Sequence, residues 1–339
     1  MTLKVDVFNH IFPKPFWDRL QQVIVNKGAI KRWLHIPYLH DVDVRFRMIE
    51  EFGDNYRQIL SLSAPPIESI NPDRQITLDL ATVANNSMAE LVRQYPDRLP
   101  AFIASLPLNY PDESVRELER AVTTLGAVGV QIFSNVQGVP LDDPRFFPLF
   151  ETADRLNCPL FLHPARGANV PDYATETKSK YEIWWTFGWP YETSVAMQRL
   201  VFSRLFDRLP NVKILAHHLG AMIPYFEGRI GYGLDQFGAR TADEDYEGLR
   251  KSMPKRPLDY FKMYWADTAV FGSRAATVCG LNFFGVDQVC FASDAPFDPE
   301  GGSLYIRETI KVIDSLEISE TDRDKIYQRN AERLFGRTF

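Results

Sequence analysis

The sequence contains few cysteines and no long apolar run. Only three of its 339 residues are cysteines, and they lie apart in apolar surroundings. This excludes a disulfide framework and favours buried thiols in a reducing compartment. A membrane-spanning helix needs roughly 18 consecutive apolar residues, which no stretch provides. The first residues also lack the charged segment and apolar run of a secretory signal, so we expect a cytoplasmic protein.

The sequence also has no excess of positive charge. Its 38 basic and 44 acidic residues give a net charge of −6, so no basic surface is expected to attract nucleic acid. Hydrophobic residues make up 45% of the chain and charged residues 24%, as in an ordinary globular protein. Nucleic acids and membranes are therefore not expected partners.

Short apolar runs of strand length alternate with longer segments of helical period, a pattern that indicates a parallel α/β fold. The clearest runs occupy residues 4–8, 58–62, 101–106, 127–133, 159–163, 212–218, 262–267 and 288–293. The runs VGVQIF and PLFLH are almost continuously apolar, as in strands that are buried on both faces. A closed barrel explains this better than an open antiparallel sheet. The sequence therefore predicts a (β/α)8 barrel, the TIM-barrel fold.

No internal repeat, low-complexity tract or long linker divides the chain. We expect residues 1–339 to form a single barrel domain, because barrels of this type often exceed about 250 residues without splitting. Three stretches, at about 11–55, 166–188 and 231–260, are expected to be insertions. Long loops of this kind commonly bind ligands or cover active sites.

Histidine and aspartate side chains, which can bind a metal ion, lie at the ends of several predicted strands. His10 and His163 follow the first and fifth apolar runs, and His218 and Asp294 end or follow the sixth and eighth. Parallel barrels collect their active sites at this end of the strands. Two imidazoles and one carboxylate are enough to bind a catalytic divalent ion. We therefore expect His10, His163 and Asp294 to be metal ligands.

Each of these residues also has a purely structural interpretation. A single histidine at a strand end often makes only a structural hydrogen bond, and an aspartate before Ala-Pro, such as Asp294, can cap the next turn. The common position of all four residues at one end of the barrel favours a shared site. Without a metal, the same groups could act as an acid and a base.

Five motifs give the chain a family resemblance. FLHP at His163, AHHLGAMIPY around His218, ADT at Asp267, FASDAPF at Asp294 and residues 188–215 resemble the amidohydrolase-related family of aminocarboxymuconate-semialdehyde decarboxylase and the aromatic acid decarboxylases. The resemblance covers nearly the whole chain. It implies a barrel of the metal-dependent hydrolase type with one divalent metal, usually zinc and sometimes manganese. It also implies a homodimer.

The resemblance implies a role for each of these polar residues. His10 and His163 match the metal-ligating histidines, and Asp294 matches an aspartate that binds metal and handles a proton. The catalytic histidine of the family lies six residues before a proline, which here identifies His218. We expect His218 to have a near-neutral pKa. We expect the side chain of His217 to point the other way and to pack behind the barrel wall.

The chain departs from the family pattern at two places. Phe8 stands where the family carries a metal-binding histidine or glutamate, and an apolar ring cannot bind a metal. Gly220-Ala221 stands where the aromatic acid decarboxylases have Gly-Glu. We therefore expect weaker metal affinity than in the family, with His218 as a candidate fourth ligand.

The resemblance implies metal-assisted, non-oxidative decarboxylation of an aromatic or unsaturated carboxylic acid. Arg166 and Arg229 are candidate anchors for the substrate, because guanidinium binds carboxylate bidentately; each could instead be a surface salt-bridge residue. Trp189 and the aromatic loop before it are expected to wall the pocket for a planar substrate, or to contact a second subunit.

Two other functions are compatible with the same residues. A metal-dependent hydrolase would use the metal and Asp294 to activate water against an amide, a lactone or a carbon–carbon bond. An inactive, metal-free binding protein would result if Phe8 had abolished the site.

Overall fold

Eight parallel strands form a nearly closed barrel in the computed structural model of the protein, which describes residues 2–339. The strands are β1 (Lys4–Ile11), β2 (Tyr56–Leu62), β3 (Ala101–Ala104), β4 (Gly129–Phe133), β5 (Leu160–His163), β6 (Ile214–Ala216), β7 (Trp265–Asp267) and β8 (Val289–Cys290). Each strand pairs with the next one along the chain, and every pairing is parallel. The predicted (β/α)8 barrel is confirmed.

Backbone hydrogen bonds join the last strand segment to the first. The amide of Val7 donates to the carbonyl of Phe291 at 2.9 Å, and the amide of His10 donates to the carbonyl of Ala295 at 2.7 Å. The amide of Asp294 donates in return to the carbonyl of Phe8 at 3.2 Å. The segment that carries Asp294 is thus fixed beside the strand that carries His10.

Helices and turns make up most of the rest of the chain. The longer helices are Lys14–Val23, Val42–Glu50, Arg74–Gln94, Pro111–Thr123, Phe147–Arg155, Gly188–Phe202, Glu227–Asp235, Tyr246–Ser252, Arg274–Phe284 and Ser303–Asp314. Shorter helices are Pro37–His40, Ile183–Thr186, Leu205–Arg208, His217–Gly220, Pro257–Phe261, Glu320–Asp324 and Asn330–Phe335, with a π-helix at Lys325–Arg329. None of the helices within residues 2–339 is long and apolar enough to cross a membrane.

The barrel interior is an apolar cluster to which six of the eight strands contribute. Its strand residues are Val5, Val7, Phe8, Ile59, Ala101, Ile103, Phe161, Leu215 and Cys290. All of them are fully buried. Burial stabilises the fold by roughly 25 cal/mol per Å² of apolar surface, and a larger buried cluster, which includes Leu60, Val130 and Ile214, adds to the contribution of this one. It also gives the polar residues above the cluster a rigid base.

The stretches expected to be insertions lie between strands. Residues 11–55 separate β1 from β2 and form helices whose aromatic side chains make a second cluster against the helix Arg74–Gln94. Residues 166–188 follow β5 and contain only the short helix Ile183–Thr186. Residues 231–260 lie between β6 and β7 and are largely helical. That all 339 residues form a single domain stays a prediction.

Candidate metal centre

Four histidines and one aspartate meet at the carboxyl ends of the strands. His10 lies near the end of β1, and His163 is the last residue of β5. Nε2 of His10 lies 3.0 Å from Oδ1 of Asp294, and the ring centroids of His10 and His163 lie 5.5 Å apart. Donor atoms of His10, His163 and His217 all lie within 4.8 Å of one another. The same is true of donor atoms of His217, His218 and Asp294.

The hydrogen bonds of His10 fix its tautomer. Its Nδ1 faces the carbonyl of Leu62 at 3.3 Å and the hydroxyl oxygen of Ser61 at 3.1 Å. The hydroxyl of Ser61 already donates to the carbonyl of Asn9 at 2.6 Å, so both neighbours of Nδ1 are acceptors. Nδ1 of His10 therefore carries the proton, and Nε2 presents a lone pair.

The same argument applies to His163 and His218. Nδ1 of His163 donates to the carbonyl of Pro164 at 2.7 Å, and Nδ1 of His218 donates to the carbonyl of Ala269 at 2.8 Å. A carbonyl accepts only, so Nε2 of each neutral ring is left with its lone pair. Metal-binding histidines in proteins are typically held in this way by a partner on the other ring nitrogen.

Nε2 of His10 is a buried atom without a hydrogen bond. It lies 3.0 Å from the carboxylate of Asp294, yet within the described chain it makes no aligned hydrogen bond to this or any other group. The tautomer explains why, since a lone pair faces a negative oxygen. A buried polar atom without a partner is costly, and a cation between nitrogen and oxygen would remove that cost. The donor set thus fits a divalent metal ion.

His217 connects two buried carboxylates. Its Nδ1 lies 2.6 Å from Oδ2 of Asp267, and its Nε2 lies 3.4 Å from Oδ1 of Asp294. Burial disfavours the charged imidazole, but the carboxylates of Asp267 and Asp294 outweigh this effect and raise the pKa of His217 to about 9. Asp267 also accepts from the backbone amides of Leu219 and Ala269, so it is well placed to orient the ring.

The expected position of His217 behind the barrel wall is wrong. Strand β6 ends at Ala216, so the alternation of side chains along a strand no longer applies at residue 217. His218 and Leu219 both have a left-handed φ of 55°, which turns the chain sharply. As a result the rings of His217 and His218 stack with their centroids 3.8 Å apart, and both belong to the cluster.

The other imidazoles are kept neutral by their surroundings. Burial, followed by the neighbouring imidazole of His217, holds the pKa of His163 well below its usual value. The same two causes lower the pKa of His218 to about 4, so the near-neutral pKa expected for this residue is wrong. Burial alone would raise the pKa of Asp294, but the hydrogen bond and the positive charge of the His217 imidazole hold it well below the ordinary value. The site therefore offers the neutral nitrogens of His163 and His218 around an ionised carboxylate.

Phe8 lies directly against the histidines. Its ring is fully buried, and its centroid lies 4.5 Å from that of His217, 5.1 Å from that of His10 and 6.1 Å from that of His163. The strand register shifts between Asp6 and Asn9, on either side of this residue. Phe8 thus forms an apolar wall on one side of the histidine cluster and provides no donor atom for a metal.

A buried arginine supports the strand that carries His10. The guanidinium of Arg45 donates to the carbonyl of His10 at 2.8 Å, to Oδ1 of Asn9 at 2.6 Å and to Oε1 of Gln58 at 3.0 Å. Burial lowers the pKa of Arg45 to about 10, which still leaves it charged at neutral pH. The sequence analysis missed this residue. The available signal was its position on one helical face with buried Met48 and Ile49.

A second buried network fixes the segment before Asp294. Oδ1 of Asp6 accepts from the amide of Ser293 at 3.1 Å, and Oδ2 accepts from the hydroxyls of Ser293 at 2.5 Å and Tyr56 at 2.6 Å. Despite these donors, burial raises the pKa of Asp6 to about 6. The network links β1, β2 and the end of β8 beneath the candidate metal centre.

The three residues expected to contact substrate lie in different environments. The ring of Trp189 lies 5.5 Å from that of His163, and its Nε1 donates to the carbonyl of Arg166 at 3.1 Å. Arg166 is already paired with Glu192 at 3.1 Å. Arg229 is exposed and lines an outer cleft of about 350 Å³, whose lining in residues 2–339 includes none of the four clustered histidines. Trp189 thus lies beside His163 and contacts the backbone of Arg166, and the substrate contacts of all three residues stay predictions.

Comparisons with known proteins identify relatives of the whole chain. The family model described as amidohydrolase matches residues 45–337. The chain is 30% identical to 2-amino-3-carboxymuconate-6-semialdehyde decarboxylase of Dictyostelium discoideum, over 99% of this chain and 92% of that protein. It is 32% identical to gamma-resorcylate decarboxylase of Rhodococcus jostii strain RHA1, over 95% of this chain and 92% of that protein.

Solved structures of decarboxylases are also similar to this chain. A dihydroxybenzoic acid decarboxylase from Polaromonas sp. JS666, with bound manganese and the inhibitor 2-nitroresorcinol, superposes with a TM-score of 0.80 at 28% identity. The match covers 99% of this chain and 97% of that one. These findings confirm the resemblance inferred from the motifs.

Removal of the Arg45 guanidinium should destabilise the barrel. Arg45→Met leaves the carbonyl of His10 and the side-chain oxygens of Asn9 and Gln58 without a donor, so we expect a loss of about 2–4 kcal/mol in the free energy of unfolding. Urea denaturation followed by circular dichroism measures it. The matched control is Arg47→Met on the exposed face of the same helix, expected within about 0.5 kcal/mol of the unmodified chain. Equal stability of the two variants would contradict the role of Arg45.

Proposed function

We propose, from the premise that this chain belongs to the amidohydrolase family, that it is a carbon–carbon lyase. It catalyses the metal-assisted, non-oxidative decarboxylation of an aromatic or unsaturated carboxylic acid. The relatives reported above are decarboxylases of such acids, and they align with this chain over almost its full length. Amidohydrolase-type hydrolysis is the alternative that product analysis must exclude.

One observation supports the metal-dependent mechanism above all others. Nε2 of His10 lies 3.0 Å from Oδ1 of Asp294, yet this buried nitrogen makes no aligned hydrogen bond. His10, His163 and Asp294 would hold a divalent ion, which supplies a Lewis acid that polarises an oxygen of the substrate when bound. Zinc is our proposal for this ion, and manganese is the alternative because a solved relative contains it.

The reaction itself requires one proton at carbon. The bond between the ring or alkene carbon and the carboxylate breaks, its electron pair stays on that carbon, and CO₂ leaves. A proton must then replace the carboxylate, and Asp294 is the proposed donor. A carboxyl group with a low pKa is seldom protonated, but once protonated it is a strong acid toward carbon.

His218 is the proposed link between Asp294 and solvent. It is partly exposed, unlike the other histidines of the cluster, and its donor atom lies within 4.8 Å of a carboxylate oxygen of Asp294. Its Nδ1 is held by the carbonyl of Ala269, so Nε2 is the atom that receives and passes on a proton. This arrangement lets the buried carboxyl be reprotonated after each turnover.

Trp189 is the proposed wall for the planar part of the substrate. Its ring lies edge-on to His163, with Trp184 packed against its far side at a centroid distance of 5.5 Å. Arg166 is a candidate to bind a second polar group of the substrate, but only if its guanidinium leaves its present partner Glu192. We leave Arg229 out of the substrate site, because it lines the outer cleft.

We also propose that two copies associate in the cytoplasm. Five aromatic side chains between residues 181 and 232 are more than half exposed: Tyr181, Phe187, Tyr191, Tyr225 and Tyr232. Exposed aromatic clusters of this kind are typical of subunit interfaces. The three cysteines are unpaired in the described structure, and burial raises the pKa of Cys158 to about 12. This supports a reducing compartment and argues against a cysteine nucleophile.

Replacement of Asp294 by asparagine should abolish most turnover. Asp294→Asn keeps the size of the side chain but removes its acid, so we expect kcat to fall by about 10²–10⁴-fold. The assay is CO₂ release from the most active member of a panel of hydroxylated benzoates that includes 2,6-dihydroxybenzoate. Exposed Asp243→Asn is the matched control and should keep full activity. Full activity of Asp294→Asn, with circular dichroism unchanged, would refute the assignment.

The source of the product atoms distinguishes a lyase from a hydrolase. In H₂¹⁸O, a decarboxylase releases CO₂ and forms a product that has lost its carboxylate, with no ¹⁸O bound to the product carbon. A hydrolase would place ¹⁸O in a newly formed carboxylate. Mass spectrometry of the product from a short reaction separates the two, and incorporation of ¹⁸O would exclude the lyase.

A further inference from the structure

The candidate metal centre has donors on some sides and an apolar wall on another. Phe8 is fully buried, and its ring contacts the imidazoles of His10, His163 and His217. A phenyl ring provides no lone pair for a metal, and no water can occupy its volume. The protein donors available to an ion at this point are therefore limited to the histidines and Asp294.

His217 has the position of a ligand and not merely of a neighbour. Its Nε2 lies 3.4 Å from Oδ1 of Asp294, and Nε2 of His10 lies 3.0 Å from the same oxygen. With bonds of about 2.0–2.2 Å, adjacent donors of a tetrahedral zinc ion lie about 3.4 Å apart. Donor atoms of His163 complete a set with those of His10 and His217 within 4.8 Å. The distances between these donor atoms are therefore close to those between ligands of a single metal ion.

The opposite side of the His217 ring has the support that a metal ligand requires. Nδ1 lies 2.6 Å from a carboxylate oxygen of Asp267, and both side chains are completely buried. A carboxylate, an imidazole and a metal in this order are a common arrangement, because the carboxylate fixes the ring and raises the basicity of Nε2. Nδ1 of His218 donates instead to the carbonyl of Ala269, and the His218 side chain is partly exposed, unlike that of His217.

We propose that His217 is the fourth metal ligand and that Phe8 limits the site to three imidazoles and one carboxylate, which makes it selective for zinc over manganese. The inference rests on the metal-dependent function proposed above and specifies its metal. Nitrogen-rich sites of four protein ligands suit Zn²⁺. Mn²⁺ prefers six ligands that are mostly oxygen, and Phe8 excludes a donor from one side. A manganese-bound relative at 28% identity provides the contrast.

Metal titration of apo variants tests the proposal without reference to turnover. Zn²⁺ affinity is measured by competition with a chromophoric chelator, Mn²⁺ affinity by the electron paramagnetic resonance of the free ion, and geometry by the visible absorption of bound Co²⁺. We expect His217→Ala to lose at least about 100-fold in Zn²⁺ affinity and to lose the intense absorption of four-coordinate Co²⁺. His35→Ala, an exposed histidine outside the cluster, should keep both.

Phe8→Glu supplies the missing oxygen donor. We expect it to raise Mn²⁺ affinity by about tenfold or more and to weaken the Co²⁺ absorption as the coordination number rises. The proposal would be overturned if His217→Ala bound Zn²⁺ as tightly as the unmodified chain does. It would also be overturned if folded Phe8→Glu had the same ratio of Zn²⁺ to Mn²⁺ affinity as the unmodified chain. If Phe8→Glu does not fold, His217→Ala and the Co²⁺ spectrum of the unmodified chain decide.

Failure of this inference is distinct from failure of the proposed function. If the unmodified chain binds no divalent metal, the metal-dependent function and the inference fall together. If it binds zinc but His217→Ala does so equally well, only the role of His217 falls. If it binds zinc through His217 and releases no CO₂ from any acid, the coordination stands and the decarboxylase does not.

Discussion

The approach of the Asp294 carboxylate to Nε2 of His10 is the constraint on which the rest of the site depends. The two atoms lie 3.0 Å apart without an aligned hydrogen bond, and a buried polar atom in this state is unfavourable unless a cation lies between them. The barrel imposes this distance through backbone hydrogen bonds between β1 and the segment after β8. Arg45 and Asp6 fix the same two segments from below. The fold thus holds opposed donors in place, and the metal makes that arrangement stable.

The residues around His10 and Asp294 account for the proposed function. Neutral imidazoles and an ionised carboxylate fit a Lewis acid, and in the proposed mechanism Asp294 and His218 carry the proton. Trp189 lies beside them with a flat apolar surface. These are the parts that a decarboxylase needs, since its reaction replaces carboxylate by a proton and needs no activated water. Phe8 contacts the imidazoles of His10, His163 and His217, so in our proposal it alters the metal coordination and not the proton route.

Much of the fold was predictable because barrel strands are buried on both faces and leave continuous apolar runs. Each of the eight runs overlaps a strand of the structure. The convergence of His10, His163 and Asp294 followed from their common position at strand ends. The barrel topology alone was enough to predict that these three residues converge.

What the sequence did not predict depends on local geometry and on contacts between distant residues. The direction of His217 is set by two left-handed residues after β6, which no periodicity indicates. The partners of Arg45 and Asp267 lie far from them in the sequence, so only the folded chain identifies them. Arg229 lies near the site along the sequence but lines the outer cleft in space.

Anomalous diffraction from crystals grown with zinc tests the central claim most directly. Data collected on both sides of the zinc absorption edge locate the ion without assumptions about its ligands. We predict one peak at the mouth of the barrel, about 2.0–2.2 Å from Nε2 of His10, His163 and His217 and from an oxygen of Asp294. The account would be contradicted by the absence of a peak between His10 and Asp294, or by a zinc ion bound elsewhere while these atoms remain in contact.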